Sequence, residues 1–261
     1  GLGDVYKRQD IIIVNTCGFI ESAKTEAIEA ILDAASYKSS GRCKSVIAAG
    51  CLAQRYAEDI RKELPEVDAI VGISGYGKIL DAVEACIKGN RYEFYDDTGD
   101  VSYLNKPRIL SGPDGSAYLK ISEGCDNRCA YCAIPDIRGP FRSRAKEDII
   151  KEAKYLAAAG VKEIVLVGIN LSAYGKGADF NIADAVETCA EIDGITRIRL
   201  GSLEPDHITD SIIERLSSVE KFCPQFHISL QSGCDKTLKS MNRHYLSLIH
   251  ISEPTRLGMI S

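Results

Sequence analysis

The chain has 261 residues, 45% of them hydrophobic, and a formal net charge of −5 at pH 7. That apolar content suits one large or two medium domains with real cores, and the acidic balance gives no global field to attract RNA or DNA, leaving only a local basic strip for that purpose. No apolar run approaches the ~20 residues of a membrane helix and no signal-peptide pattern stands out. Ten cysteines in such a chain point to a reducing, cytoplasmic compartment and to metal ligation rather than disulfides.

Taken in chain order, Asp10–Asn15 (DIIIVN) reads as a buried strand. Glu21–Lys38 reads as a helix with Ala23, Ala27, Ile31 and Ala35 on one face. Lys44–Gly50 is a second strand, and Gln54–Leu64 a second helix ended by Pro65. Asp68–Gly72 is a third strand and Tyr76–Lys88 a third helix. Strand–helix pairs of this length imply a parallel, doubly wound α/β sheet with a flavodoxin-like layout over residues 10–90. Residues 91–115, rich in Gly, Pro, Asp and Asn, read as a linker. A second alternating region covers 116–245. Its strands are Ala117–Ser122, Glu163–Gly168, Arg197–Ser202 and Phe226–Gln231, and its helices Lys146–Ala159, Ile182–Glu191 and Asp206–Ser217. This pattern implies a partial β/α barrel, with chemistry expected in loops at the C-terminal ends of its strands. The end strings, residues 1–9 (GLGDVYKRQ) and 246–261 (LSLIHISEPTRLGMIS), break the alternation and resemble translated sequencing-adapter read-through, so they are kept out of the fold reading.

The strongest chemical signal is Gly124-Cys125-Asp126-Asn127-Arg128-Cys129-Ala130-Tyr131-Cys132, a CxxxCxxC run directly after a strand. Three thiolates on one tight loop can hold three irons of a cubane cluster. The fourth iron is then open to chelate the amino and carboxylate groups of S-adenosylmethionine (SAM), whose sulfonium an electron from the cluster can cleave to a 5′-deoxyadenosyl radical. A zinc loop would call for a matching CxxC pair or histidines at ligand spacing. The chain has neither, and its 4 histidines show no ligand spacing.

CxxxCxxC with an aromatic, Tyr131, before its last cysteine and after the first strand of a β/α barrel resembles the radical-SAM superfamily. Two further stretches, Asn15–Ala23 (NTCGFIESA) and Gly50–Tyr56 (GCLAQRY), look like the N-terminal domain of radical-SAM methylthiotransferases. Ile134-Pro135 and Arg138–Arg144 (RGPFRSR) look like the continuation of their cluster loop. The resemblance covers about residues 10–245. It implies a SAM-binding 4Fe-4S cluster on Cys125, Cys129 and Cys132, and an auxiliary 4Fe-4S cluster for which Cys17 and Cys51 match the second and third ligands. The first auxiliary ligand would lie upstream of Asp10. With two of those three thiolates, this chain alone is expected to be inactive. Cys43 could replace the missing ligand only if the fold brought it near. Cys86, Cys189, Cys223 and Cys234, with Cys43, read as core or incidental thiols.

Residues that follow barrel strands are candidates for SAM: Asn170, Glu204 and Gln231, with Tyr131 on the cluster loop. Glu204 suits the ribose hydroxyls or the amino group, or else caps the helix near Asp206. Arg142 and Arg144 could pair with the SAM carboxylate or with substrate, or else stay solvated. The family inserts sulfur into an unactivated C–H bond and methylates it, drawing electrons from a donor such as flavodoxin or ferredoxin. The words of the first half look like the branch that modifies an aspartate of a small-subunit ribosomal protein. Those of the second half (LVGINLSAYG, IRLGSLEP) look like the branch that modifies threonylcarbamoyl-adenosine in tRNA, with the change near residues 140–150. A mis-assembled join and a natural intermediate member both produce such a pattern. Two other classes remain: a non-catalytic iron–sulfur-binding fragment, and a flavodoxin-like electron carrier. The carrier lacks a phosphate-binding loop, since Asn15–Ala23 holds one glycine and a carboxylate.

Overall fold

The computed structural model describes residues 5–95, 99, 101–106, 108–110, 112 and 115–247. They divide into two compact units, Gly1–Lys106 with Ala133–Gly139, and Pro107–Cys132 with Pro140–Ser261. Of the end strings, residues 5–9 form an exposed turn, while Ile249, Ile251 and Leu257 lie outside the described residues.

In the first unit, β1 (Ile11–Thr16), β2 (Ser45–Gly50), β3 (Val67–Val71) and β4 (Tyr92–Phe94) form one parallel sheet in sequence order. The order reversal of a flavodoxin-like sheet is not among these strands. Between them run α1 (Glu21–Ser40), α2 (Cys51–Arg55), α3 (Ala57–Glu63) and α4 (Ile79–Ile87), and α5 (Ile134–Arg138) joins the unit from further along the chain. All six residues of β2 are buried. Its alternate side chains go to opposite faces, Val46 and Ala48 with Ala27, Ile31 and Ile60, and Ile47 and Ala49 with Ala82 and Cys86 of α4. Helices therefore cover both faces, which is why β2 reads as an unbroken apolar run rather than an alternating one.

Two expectations change here. The linker over 91–115 begins with β4, whose Tyr92 to Phe94 pair with Ala69 to Val71. A three-residue strand between Gly89-Asn90 and Asp96-Asp97 is too short to show a period. The helix expected from Gln54 starts at Cys51 and breaks at Tyr56 (φ −122°, ψ 32°), giving α2 and α3.

In the second unit, β5 (Ser116–Glu123), β7 (Glu163–Gly168) and β8 (Arg197–Leu200) are parallel, and a two-residue antiparallel strand, β6 (Arg142–Ser143), flanks β5. A short parallel pair, β9 (Ser202–Leu203) and β10 (His227–Ile228), forms a separate ladder. The helices are α6 (Lys146–Ala158), α7 (Ile182–Ala190), α8 (Asp210–Ser217) and α9 (Asp235–Ser240). One core joins Leu119 and Ile121 of β5, Ile164 and Leu166 of β7, and Ile198 of β8 to Leu156, Val186 and Leu216 of the helices. Each such fully buried side chain contributes ~1.5–3 kcal/mol. α7 opens on a capping box in which Asn181 accepts from the backbone of Ala183 and Asp184 from that of Asn181. α8 starts four residues later than expected because Thr209 caps it, its Oγ1 accepting from the Ile212 N–H at 3.3 Å. The strand expected over Arg197–Ser202 is broken at Gly201, and the one over Phe226–Gln231 shrinks to the exposed pair His227–Ile228.

Candidate iron–sulfur and SAM site

The CxxxCxxC loop hangs from the C-terminal end of β5. Gly124 takes φ +70°, a left-handed turn that a side chain would resist. Its N–H donates to Glu123 Oε1 at 3.0 Å, and the buried Glu123 is paired with Lys120. Asp126 ties down the outer part of the loop, accepting from Lys176 Nζ at 2.8 Å and the Phe141 N–H at 2.9 Å. These donors hold its carboxyl below its ordinary value. Cys132 N–H donates to the Cys129 carbonyl at 3.0 Å, closing a tight turn between the last two thiols.

The three thiols sit in different surroundings. Cys129 is buried, and Cys125 and Cys132 are half-buried. Burial pushes the Cys125 thiol up. The backbone N–H of Asn127 and the side chain of Asn170 pull it down, and the neighbouring Cys132 and Cys129 push it further up. The three would therefore repel one another as thiolates, a charge that bound iron neutralises. Among the described residues, no three His, Cys, Asp or Glu side chains gather as the ligands of a single ion would. A cubane takes one thiolate on each of three irons, so its ligands stand further apart than the donors of one tetrahedral ion. The donor set, three thiols of one loop with N–H groups aimed at their sulfurs, fits such a cluster.

The strand-end candidates divide. Asn170, just past β7, has a left-handed backbone (φ 46°). Its side chain pulls the Cys125 thiol down, and its Oδ1 is buried with no hydrogen-bond partner. A strained backbone and an orphaned buried acceptor beside the loop mark a ligand-facing group. Glu204, past β9, precedes the short 3-10 turn Pro205–His207, but its side chain makes no capping hydrogen bond. Its N–H donates to Ser172 Oγ at 2.6 Å and its Oε2 is paired with Arg243. Arg243 Nη1 in turn donates to Cys129 Sγ at 3.1 Å. Tyr131 is half exposed, and burial of the rest pushes its phenol up. Gln231 is exposed with φ 59°, and no hydrogen bond among the described residues ties its side chain to the loop.

Arg144 is neither solvated nor free for a ligand. It is buried, with Nη1 donating to Glu152 Oε2 at 2.5 Å and to the Lys120 carbonyl at 2.9 Å, so it fastens α6 to β5. Two residues escaped the sequence reading. Asp206 places a buried, unpartnered Oδ1 at the β9 end. Arg243 stands 114 residues from Cys129, and no local motif connects them.

In the first unit, Cys17 and Cys51 each follow the last paired residue of adjacent parallel strands, Thr16 opposite Gly50. They lie on the same edge of the sheet, as the resemblance requires. Gly18 touches the second turn, where an added Cβ would come within 3.0 Å of the Leu52 backbone. Thr16 Oγ1 donates to the Ala49 carbonyl at 2.6 Å and accepts from the Ala53 N–H at 3.4 Å, tying the two turns together. Cys17 is exposed and Cys51 half-buried, and Arg138 Nη2 of α5 reaches Cys51 Sγ at 3.4 Å. Cys43 is buried just before the opposite end of β2, so it is no substitute ligand. Cys86 and Cys189 are also core thiols, the latter pushed up to about 12 by burial, whereas Cys223 is half-buried and Cys234 exposed.

Residues 119–248 match the Radical SAM superfamily, and residues 3–72 match the uncharacterized protein family UPF0004. The ribosomal protein uS12 methylthiotransferase RimO of Acetivibrio thermocellus is 49% identical over 247 residues, which cover 91% of this chain and 54% of that protein. The proteins of the same name from Desulforudis audaxviator and Clostridioides difficile are each 42% identical, covering 91% and 93% of this chain and 53% and 55% of theirs. The chain thus spans about half the length of these curated relatives. With more than nine-tenths of the chain aligned to relatives of one name, the expected change of branch near residues 140–150 is not shown. Among solved structures, the radical S-adenosylmethionine methyltransferase TsrM from Kitasatospora setae, with tryptophan substrate and a SAM analogue bound, has a TM-score of 0.63 at 12% identity. It covers 95% of this chain and 55% of that one, a likeness of fold alone. Among the described residues no helix is long and apolar enough to cross a membrane. With both of its halves matched and relatives of one name running through most of its length, the chain belongs to the radical-SAM methylthiotransferase family.

Proposed function

We propose that the protein of which this chain forms part inserts a methylthio group into a C–H bond of an aspartate of the small-subunit ribosomal protein uS12, in the cytoplasm, with SAM as cofactor. One observation carries the reading: three thiols on the β5 loop, with the Asn127 N–H and the Arg243 guanidinium donating to two of their sulfurs. In this reading Cys125, Cys129 and Cys132 hold the SAM-binding 4Fe-4S cluster. Cys17 and Cys51 belong to the auxiliary one. When bound, the first cluster supplies the electron that cleaves the SAM sulfonium, from an external donor such as flavodoxin or ferredoxin.

The chain's own residues bind and orient. Asn170 Oδ1 is an acceptor for a cofactor N–H or O–H. Glu204 has one oxygen committed to Arg243 and offers the other to the amino group or ribose hydroxyls. Tyr131 lines the loop and Gln231 lies further out. Asp206 Oδ1, buried without a partner, supplies another acceptor at the strand end. The names of the relatives support uS12 as the substrate over tRNA.

The test uses the full-length protein, reconstituted anaerobically and given SAM, dithionite and either uS12 or tRNA carrying threonylcarbamoyl-adenosine. A methylthio product on uS12 detected by mass spectrometry is expected. Product on the tRNA alone would replace the substrate, and zinc in place of iron after anaerobic isolation would overturn the reading.

A further inference from the structure

We infer that Arg243 is a positioning residue of the cluster loop: it holds Cys129 by an N–H···S bond and, through its charge balance with Glu204, sets the reduction potential of the iron–sulfur site. The inference rests on the cluster assignment proposed above. The Arg243 side chain is only 4% exposed. Its nitrogens are distributed over four partners: Nη1 to Cys129 Sγ at 3.1 Å, Nη2 to Glu204 Oε2 and to the Ser229 carbonyl at 3.5 Å, and Nε to Tyr245 Oη at 3.2 Å. Tyr245 is anchored in turn, its hydroxyl lying 2.9 Å from the Ser229 carbonyl and 3.0 Å from that of Leu230.

The residues before Arg243 grip the same loop. The Met241 carbonyl accepts from the Ala130 N–H at 3.0 Å, and Asn242 Nδ2 donates to the Arg128 carbonyl at 2.7 Å. Residues 241–243 therefore hold the loop on both sides of Cys129 and at its sulfur. A guanidinium beside a thiol is not by itself informative. Arg197 also reaches Cys223 Sγ at 3.3 Å, but that arginine is exposed. Arg197 is also balanced by a carboxylate, Glu163 at 3.2 Å. Arg243 differs in the burial of its side chain and in belonging to a three-residue clamp.

The physical consequence has a sign. Reduction adds a negative charge to the site, and a buried guanidinium donating to a ligand sulfur favours the more negative state. Arg243 raises the potential and the Glu204 carboxylate offsets it. Arg243→Gln is expected to shift the potential down and Glu204→Gln to shift it up. Arg243→Lys, which keeps the charge but loses the fork, is expected to shift it less than Arg243→Gln.

The experiment is an EPR-monitored redox titration, without SAM, of the reconstituted 261-residue chain and the three variants, with iron and sulfide measured in parallel. Opposite shifts for Arg243→Gln and Glu204→Gln support the inference. Unchanged potentials, or shifts of one sign, overturn it. In the iron-free chain, the Ala130 amide is expected to exchange with deuterium several-fold faster in Arg243→Gln. Equal rates would overturn the clamp even if that variant fails to retain iron. Absence of iron from the unmutated chain counts instead against the cluster assignment.

Discussion

The two cysteine sites are built by different means from one recurring device. At both, a parallel strand leads into a glycine of positive φ followed at once by a cysteine: Gly50 (φ 103°), the last residue of β2, before Cys51, and Gly124 (φ 70°), the first residue after β5, before Cys125. Beyond that point they diverge. The second unit supplies its three thiols from one loop, locked by hydrogen bonds donated by Asn127, Lys176, Asn242 and Arg243 and by one that the Met241 carbonyl accepts. The first unit supplies Cys17 and Cys51 from two turns that only the pairing of β1 with β2 brings to the same edge. A local site is a property of its loop, and a convergent site is a property of its sheet. Changes to the sheet should therefore reach the second kind and spare the first.

The largest expected effect breaks the comparison directly. Replacing any one of Cys125, Cys129 or Cys132 by Ala is expected to abolish its cluster, removing roughly four irons and four sulfides. Cys17→Ala or Cys51→Ala should leave that cluster intact. Iron and sulfide analysis after anaerobic reconstitution reads both, and a loop variant that keeps a full complement of iron at its own site would show that the loop does not hold it.

Core truncation comes next. Ile47 and Ile164 are fully buried in the first and second units respectively. Ile→Ala at either should lower stability by ~2–5 kcal/mol in urea unfolding. Only Ile47→Ala, in β2, should also weaken iron retention dependent on Cys17 and Cys51. Equal iron loss at both sites from either variant would mean that the two units do not behave separately.

Gly50→Ala sharpens the same point with a smaller expected effect. Its backbone (φ 103°, ψ −152°) is one that only glycine occupies readily, and an added Cβ would meet the Thr16 carbonyl at 2.6 Å. The strain is expected to cost ~1–3 kcal/mol and to displace Cys51 while leaving the Cys125 loop unchanged. Full iron retention at the Cys17 and Cys51 site in a measurably destabilised Gly50→Ala would separate ligand placement from the turn.

How much of this the sequence revealed follows the same division. The CxxxCxxC loop was legible because its spacing is local, and most strands and helices because their apolar runs have a clear length and period. The Cys17 and Cys51 pair needed a parallel sheet as an intermediate step. β4 was hidden because three residues, Tyr92–Phe94, carry no period. The split of β8 from β9 at Gly201 goes with a tertiary hydrogen bond, Gly201 N–H to the Leu166 carbonyl at 2.8 Å, whereas the late start of α8 is set locally by the Thr209 cap on the Ile212 N–H. Arg243 could not be found because its partners, Cys129 and Glu204, lie 114 and 39 residues away. For Arg144 the sequence leaves a role in pairing with SAM or substrate and a solvated one, and neither is seen, because its charge is spent on Glu152, whose position beside β5 no local pattern gives.

The smallest effect concerns how each unit fastens its periphery. In the second unit Arg215 of α8 donates to Glu187 at 2.9 and 2.6 Å and lies 2.9 Å from Asp184, tying α8 to α7. In the first, Arg61 of α3 grips Glu93 of β4, its Nε 2.8 Å from Oε1. Burial raises the Asp184 carboxyl, but Arg215 and the Asn181 and Asp184 backbone N–H groups together outweigh it and the net shift is downward; Glu93 is held low chiefly by Arg61. A carboxyl whose pKa is depressed by folding adds stability that is present above its unfolded pKa, about 4, and is lost as pH falls through the folded value. The Arg215 cluster is about a third exposed, so solvent screens it, and Arg215→Ala is expected to cost only ~0.5–1 kcal/mol at pH 7. Arg61→Ala should have a smaller effect still, Arg61 being more exposed than Arg215 and pairing with one carboxylate rather than two. The deficit of Arg215→Ala relative to the unmutated chain should shrink as pH is lowered below about 4, because protonation removes the partner charge in both proteins. Urea unfolding at pH 7 and pH 3, with and without added salt, measures it. A deficit that persists undiminished at pH 3 would mean that Arg215 stabilises α8 through the packing of its aliphatic stem rather than through its charge.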